Sequence, residues 1–258
     1  MDPISSYLLP LSVGMLRFMG IFLFLPFFGI GNLGNVLTRT AICFVFSIPL
    51  LPRLSAISSF IPLENFSLIF LCIRELSIGI LIGIISALPF WAIESGGAMI
   101  DMMSGTEIAS VFDPTLGTQS GHMGNLFSRI LTLLFFTSGA WQILTRAVYQ
   151  SYVDLPPDQY LNFSKDAYKF ILIASRAILD MGLQFVLPIL IVMFIIDLLF
   201  GMLNRAVRQL DVFFLAMPVK NMAGIFLLIV SINYSINPYL NYFQHLHIFI
   251  AQLVGKYR

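Results

Sequence analysis

The residues of this chain with the means to do chemistry are charged side chains set inside long apolar runs. Arg74 and Glu75 interrupt the run 66–93, Glu94 and Asp101 follow it, Asp197 comes at the end of another run, and Lys220 breaks a third. A charge in such a place is costly unless it meets a partner, so each needs a reason to be there. Two reasons stay open: a polar path or gate lining, or hydrogen bonds and ion pairs that fix the register of helices or subunits. Glu94 and Asp101, seven apart, lie nearly one above the other on a helix. Arg176 and Asp180, four apart, share a face and read as a structural pair. Arg74 and Glu75 are adjacent, do not share a face, and are expected to meet different neighbours. Asp197 is expected at a helix end or against another chain.

Enzymatic chemistry finds little to work with. His122, His245 and His247 are the only histidines, and none sits in an H-E-x-x-H arrangement. His245 and His247 face apart on a helix, which makes poor ligand geometry. There is no phosphate-cradling G-x-x-x-x-G-K-[ST] loop and no G-x-S-x-G elbow. Cys43 and Cys72 stand apart in apolar runs and read as small buried hydrophobes, with no disulfide and no cysteine metal site. No catalytic residue, metal or cofactor is therefore predicted.

The elements that must position these charges are membrane helices. Hydrophobic residues are 58% of the 258, charged residues only 10%, and the mean hydropathy is +0.90. Soluble domains are about 25% charged. So few charges would leave a water-exposed surface that drives association. The net charge of +1 shows no basic excess of the kind nucleic acid recruits. The length suits about five to seven crossings of about 20 residues each. The apolar runs are continuous and helix-length, unlike the short alternating segments of a membrane barrel. No basic residue precedes Arg17, so the first helix is expected to stay in the mature protein.

The reading is all-α, with roughly six apolar, proline-kinked helices and helical hairpins in one membrane domain over residues 1–258, and a seventh helix as an option at the C-terminus. Residues 18–38 should kink or exit at Pro26 and the following glycines. The run from Ala41 to Leu51 should end at Pro49 and Pro52, short of a straight crossing. Residues 94–125 form a polar, glycine-rich connecting region with four acids and no bases. A single helix is expected from Leu126 to Tyr149, with Arg129 and Arg146 near its ends. Residues 165–200 make the longest helical candidate, Val212–Tyr234 a last apolar stretch, and 237–258 an interfacial tail. Gly79-x-x-x-Gly83 suits close helix contact. Basic residues give no consistent topology, and frequent prolines point to broken helices.

Several segments then stop being generic. ELSIGILIG (75–83), Glu94-x-x-Gly97, Asp101-x-x-x-Gly105, FDPTLGTQS (112–120) and LLFFTSG (133–139) occur in that order, with Arg17 and FLPFFG before them and DLLFGMLNRAVRQLDVFFLAMPVK (197–220) after. Together they resemble the export-apparatus membrane proteins of type III secretion, the FliR/SpaR/SctT family of flagellar and virulence systems. The resemblance runs from about residue 17 to about 230. It implies a non-enzymatic part of an export gate in the bacterial inner membrane. Such a protein packs in a helical heteromeric assembly with several copies of two smaller membrane subunits, near the large export-gate subunit. Unfolded substrates pass through the channel, driven by a separate ATPase and the proton motive force. The same resemblance carries assembly or gating roles onto Arg17, Glu75, Glu94, Asp101, Gly105, Asp113, Gly117, Asp197, Arg205, Gln209 and Lys220. The family's late motif reads R-A-x-P-Q-L-N-x-F, whereas this chain has Arg208 and Asp211, a pair three apart that can hold the turn in place of the proline. That departure favours a virulence-type member. The competing reading is a proton-coupled secondary transporter, which calls for matching broken helices in two halves; no internal repeat supports it.

Overall fold

The computed structural model describes residues 3–28, 36–57, 65–105, 122–157, 167–206 and 212–253. Among them the regular structure is entirely helical: α1 (Pro3–Phe24), α2 (Val36–Ser47), α3 (Leu51–Ile57), α4 (Asn65–Ser104), α5 (His122–Thr137), α6 (Ala140–Asp154), α7 (Ala167–Ala206) and α8 (Val212–Leu253). Among the described residues three stretches are long and apolar enough to cross a membrane, Val36–Ser55, Leu68–Ser104 and Leu179–Ala206, or four if the bent pair α5 and α6 forms one span.

Prolines and glycines punctuate these helices in ways the backbone explains. α1 stops at Phe24 and passes into a 3-10 turn, Pro26–Phe28, the exit expected at Pro26. The second run does not end at Pro49. A 3-10 turn, Ile48–Leu50, carries α2 into α3, because a proline at the start of a turn gives up an amide that has no partner there anyway. α4 passes through Pro89 and continues to Ser104, so 94–104 of the polar region is helical. At about 1.5 Å per residue α4 is on the order of 60 Å long, roughly twice the hydrocarbon thickness.

The single helix expected over 126–149 is instead two. Gly139 sits at φ +79° between α5 and α6, a left-handed conformation that only glycine adopts without penalty. A Cβ there would meet nothing within 4 Å, so conformation, not space, demands the glycine. The longest helix is α8, of 42 residues against 40 for α7. It absorbs the tail as far as Leu253, and Tyr239, Phe243, Leu246 and Ile250 on it are buried.

The chain divides into two compact units. Unit 1 comprises Met1–Leu88, Gly139–Ala174 and Gln244–Arg258. Here α1 crosses the first part of α4 with almost no side chain between them. A Cβ on Gly79 would run into the Arg17 carbonyl, one on Gly83 would come within 2.9 Å of Ile21, and one on Gly20 within 2.6 Å of Ile80. Gly79-x-x-x-Gly83 thus makes the close helix contact its spacing suggests. Beside the crossing, Phe22 stacks on Phe28 at 4.2 Å, and Trp141 meets Phe46 edge-on at 5.4 Å.

Unit 2 comprises Pro89–Ser138 and Ser175–Phe243. Its core includes Phe90, Phe135 and Phe243, whose rings lie 5.0–5.9 Å apart, and Phe127 against Phe185 at 4.8 Å. Gly97 on α4 and Gly124 on α5 meet backbone to backbone. The outer faces of α7 and α8 remain apolar and uncovered: Leu179, Ile191 and Leu198 on one and Phe214, Met222 and Phe226 on the other are all more than half exposed.

Candidate functional site

The buried charges collect at helix ends. In unit 1, α6 finishes at Asp154 and the chain continues Leu155-Pro156-Pro157. A helix C-terminus leaves carbonyls without donors and carries partial negative charge, and two prolines add carbonyls while supplying no N–H. Two arginines from elsewhere in the unit meet this need. Arg74 donates from Nη1 to the Pro157 carbonyl and from Nη2 to that of Pro156, both at 3.0 Å. Arg17 donates from Nη2 to the Leu155 carbonyl at 3.1 Å and from Nη1 to the Ser151 hydroxyl at 2.8 Å.

Glu75 holds both arginines. Its Oε2 accepts from Arg17 Nε at 2.9 Å and lies 2.7 Å from Nη2, while Oε1 accepts from Arg74 Nη1 at 3.2 Å. The Arg17 guanidinium lies 3.7 Å over the Tyr152 ring, a cation–π contact strengthened by burial. The Tyr152 hydroxyl donates to the Gly14 carbonyl at 2.9 Å. Arg17 and Glu75 are fully buried. Two guanidiniums against one carboxylate leave one positive charge, which the helix-end carbonyls offset. Arg74 and Glu75 thus do meet each other, contrary to the expectation from helix spacing. The long arginine stem reaches round because the carbonyls at the end of α6 draw both guanidiniums there, and Glu75 pairs with them.

In unit 2 the same logic appears at two termini. Asp101, fully buried on the last turns of α4, accepts at Oδ2 from the backbone N–H of Met123 at 2.9 Å and of Gly124 at 3.3 Å. These are the first amides of α5, where a carboxylate satisfies orphan donors and complements the dipole. The Gly97–Gly124 contact brings α5 close enough for it. At the C-terminus of α4, Lys220 from α8 donates to the Met103 carbonyl at 3.1 Å and forms an ion pair with Asp197 of α7. Asp197 is therefore paired within its own unit, and its side chain stays 39% exposed.

The other predicted residues fall differently. Gly105 ends α4 at φ +77°, with Met217 against it. Glu94 is half-buried and makes no hydrogen bond or ion pair among the described residues. Arg205 is exposed at the end of α7. Arg176 and Asp180 are both exposed and form no ion pair among the described residues. Asp113, Gly117, Gln209, Arg208 and Asp211 lie outside the described residues. Ser151, Tyr152 and Gly124, which complete the two clusters, were not singled out from the sequence. The signal for the first two was the Leu-Pro-Pro after a helix, whose carbonyls need donors from elsewhere.

Buried charges used as caps and ties, on a chain built of span-length apolar helices, suit a structural membrane protein. Residues 8–246 match the family model described as bacterial export proteins, family 1. The chain belongs to that family. The resemblance to the FliR/SpaR/SctT proteins of type III secretion therefore holds. The chain is similar to the secretion system apparatus protein SsaT of Salmonella typhimurium, 32% identical with 92% of each chain covered. It is similar to the Yop proteins translocation protein T of Yersinia pestis, 31% identical over 89% of this chain and 88% of that one. It is also similar to the flagellar biosynthetic protein FliR of Bacillus subtilis, 27% identical over 84% of each. Membership makes this family-1 export protein a structural part of the type III export apparatus and not an enzyme. With its apolar helices it makes it a multi-pass protein of the bacterial inner membrane.

Proposed function

We propose that the chain is a structural component of the type III secretion export gate, joining several copies of two smaller membrane subunits into the channel through which unfolded proteins leave. The observation that carries the reading is the uncovered apolar face of α7 and α8 in a family-1 export protein. Only 17% of the most apolar stretch of Leu179–Ala206 is buried within the chain, against 44% for Leu68–Ser104. Such a face needs lipid or other helices against it. Helices about twice as long as the hydrocarbon is thick cannot be covered by lipid along their whole length, which favours protein neighbours. Arg17, Glu75, Asp101, Asp197 and Lys220 serve assembly by fixing helix ends. Glu94, Gly105, Arg205 and the positions Asp113, Gly117 and Gln209 are the remaining assembly or gating candidates.

A proton-coupled transporter calls for carboxylates lining a path, whereas Glu75 is committed to two guanidiniums and Asp101 to two backbone amides at the start of α5. The test is the mass of the gently solubilised complex from cells expressing the neighbouring secretion genes. One discrete assembly containing this chain and several copies of two small membrane proteins is expected. A monomer or plain homodimer in the presence of those proteins contradicts the reading.

A further inference from the structure

Gly201 on α7 differs from every other glycine inside the described helices. A Cβ on any of the others would come to 3.1 Å or less from a neighbouring element, so each marks a close approach within the chain. A Cβ on Gly201 would meet nothing within 4 Å among the described residues. Its φ is not positive either, unlike that of Gly105 and Gly139. Glycine inside a helix loses more backbone freedom than alanine, and neither conformation nor packing within the chain offsets that loss here. The residues on the same side of the helix are open as well. Leu198 lies before Gly201 and is 55% exposed, and Asn204 and Arg205 lie after it, both exposed. Asp197, one turn before, keeps its side chain 39% exposed although Lys220 pairs with it, and a carboxylate accepts from more than one donor. Along one line this face therefore presents an acceptor, an apolar side chain, a notch and donors.

Lipid makes no use of that pattern. A flexible acyl chain packs beside alanine or leucine as readily as beside glycine, and it brings no donor to Asp197 and no acceptor to Arg205. A helix backbone does gain from a missing side chain, as α1 and α4 do at Gly79 and Gly83. A second copy of the chain, inserted the same way and crossing α7 on α7 at this point, would set Asp197 against Asp197 and Arg205 against Arg205, where like charges repel. We propose that Gly201 is the point at which a transmembrane helix of a different membrane protein crosses α7 at backbone distance. That helix presents a small residue to Gly201, a hydrogen-bond donor to Asp197 and an acceptor to Arg205. This rests on the export-gate reading and deepens it, from an open face to one crossing and the chemistry of its partner.

The test compares the full-length parent with Gly201→Ala and Gly201→Leu. In cells lacking the neighbouring secretion genes, the amount of membrane-inserted chain and its resistance to protease are measured. Within the chain the added carbons meet nothing, and alanine and leucine are better helix formers than glycine, so both quantities should match or exceed the parent's. In cells expressing those genes, the complex recovered per inserted chain should fall about fivefold or more for alanine, the effect of one overpacked contact, and further for leucine. A photo-crosslinking amino acid at Leu198 of the parent should capture a different membrane protein, and Gly201→Leu should abolish that crosslink. Variants that assemble like the parent overturn the proposal. Loss of protease resistance in the chain alone overturns it too, because the glycine then serves the chain's own fold. Crosslinks from Leu198 to lipid only, or to a second copy of this chain, overturn the stated occupant. A parent that forms no complex overturns the export-gate reading and the crossing with it, and is recognised before any variant is compared; a parent that assembles beside unaffected variants overturns the crossing alone.

Discussion

Units 1 and 2 use buried charge for the same purpose and finish the job to different degrees. In unit 1 the two arginines and Glu75 are almost wholly buried, and the helix end they serve is closed by Ser151, Tyr152 and three carbonyls. In unit 2 Asp101 and Lys220 are buried, but Asp197 is partly exposed, Glu94 is half-buried, and the faces of α7 and α8 stand open. Where water is scarce, helix ends must find side-chain partners because the solvent cannot supply them. Both units obey that rule. The difference lies in how far each unit closes round its own charges, because apolar faces stand open in both: Val36, Leu37, Ile69 and Phe70 in unit 1 are as exposed as the faces of α7 and α8, and other chains are expected to cover those of unit 2.

The strongest way to break this comparison is at Glu75. Glu75→Ala leaves two buried guanidiniums without their carboxylate and should cost about 3–5 kcal/mol, a large share of the roughly 5–15 kcal/mol that holds a typical domain. The full-length chain should become protease-sensitive in membranes; normal protease resistance would show that the arginines do not depend on it. In unit 2, Lys220→Met removes a donor from the Met103 carbonyl and a partner from Asp197. Because Asp197 is partly exposed and can be hydrated, the loss should be smaller, about 1–3 kcal/mol, read as a lower unfolding temperature of the detergent-solubilised complex. A loss as large as that for Glu75→Ala would erase the distinction between the units. Smallest of all, Arg176→Ala or Asp180→Ala should change stability by within about 0.5 kcal/mol, since both side chains are exposed and unpaired with each other.

What the sequence made legible follows local rules. The helical class, the exit of α1 before Pro26 and the close contact at Gly79 and Gly83 depend on a few neighbouring residues, and periodicity or backbone chemistry reveals them. The split at Gly139 was hidden because glycine in an apolar run looks the same whether it packs a helix or turns one. Continuation through Pro49 was hidden because a 3-10 turn with the proline among its first residues loses no bonded amide there, which the run of residues alone does not reveal. The charges were visible as costly, but their partners were not. Asp101 caps α5 only because Gly97 and Gly124 let two backbones touch, and Arg74 meets Glu75 only because the end of α6 draws both arginines to one place, where the carboxylate pairs with them. Such pairings depend on tertiary placement, which spacing along one helix does not contain.

The account stands on the claim that protein subunits cover the open face of unit 2. Photo-crosslinking amino acids placed singly at Met222 and Phe226, 75% and 66% exposed, test it directly in cells expressing the neighbouring secretion genes. Crosslinks from both positions to small membrane proteins, disappearing when those genes are deleted, are the predicted result. Crosslinks to lipid alone from both positions, with the genes present, would contradict it.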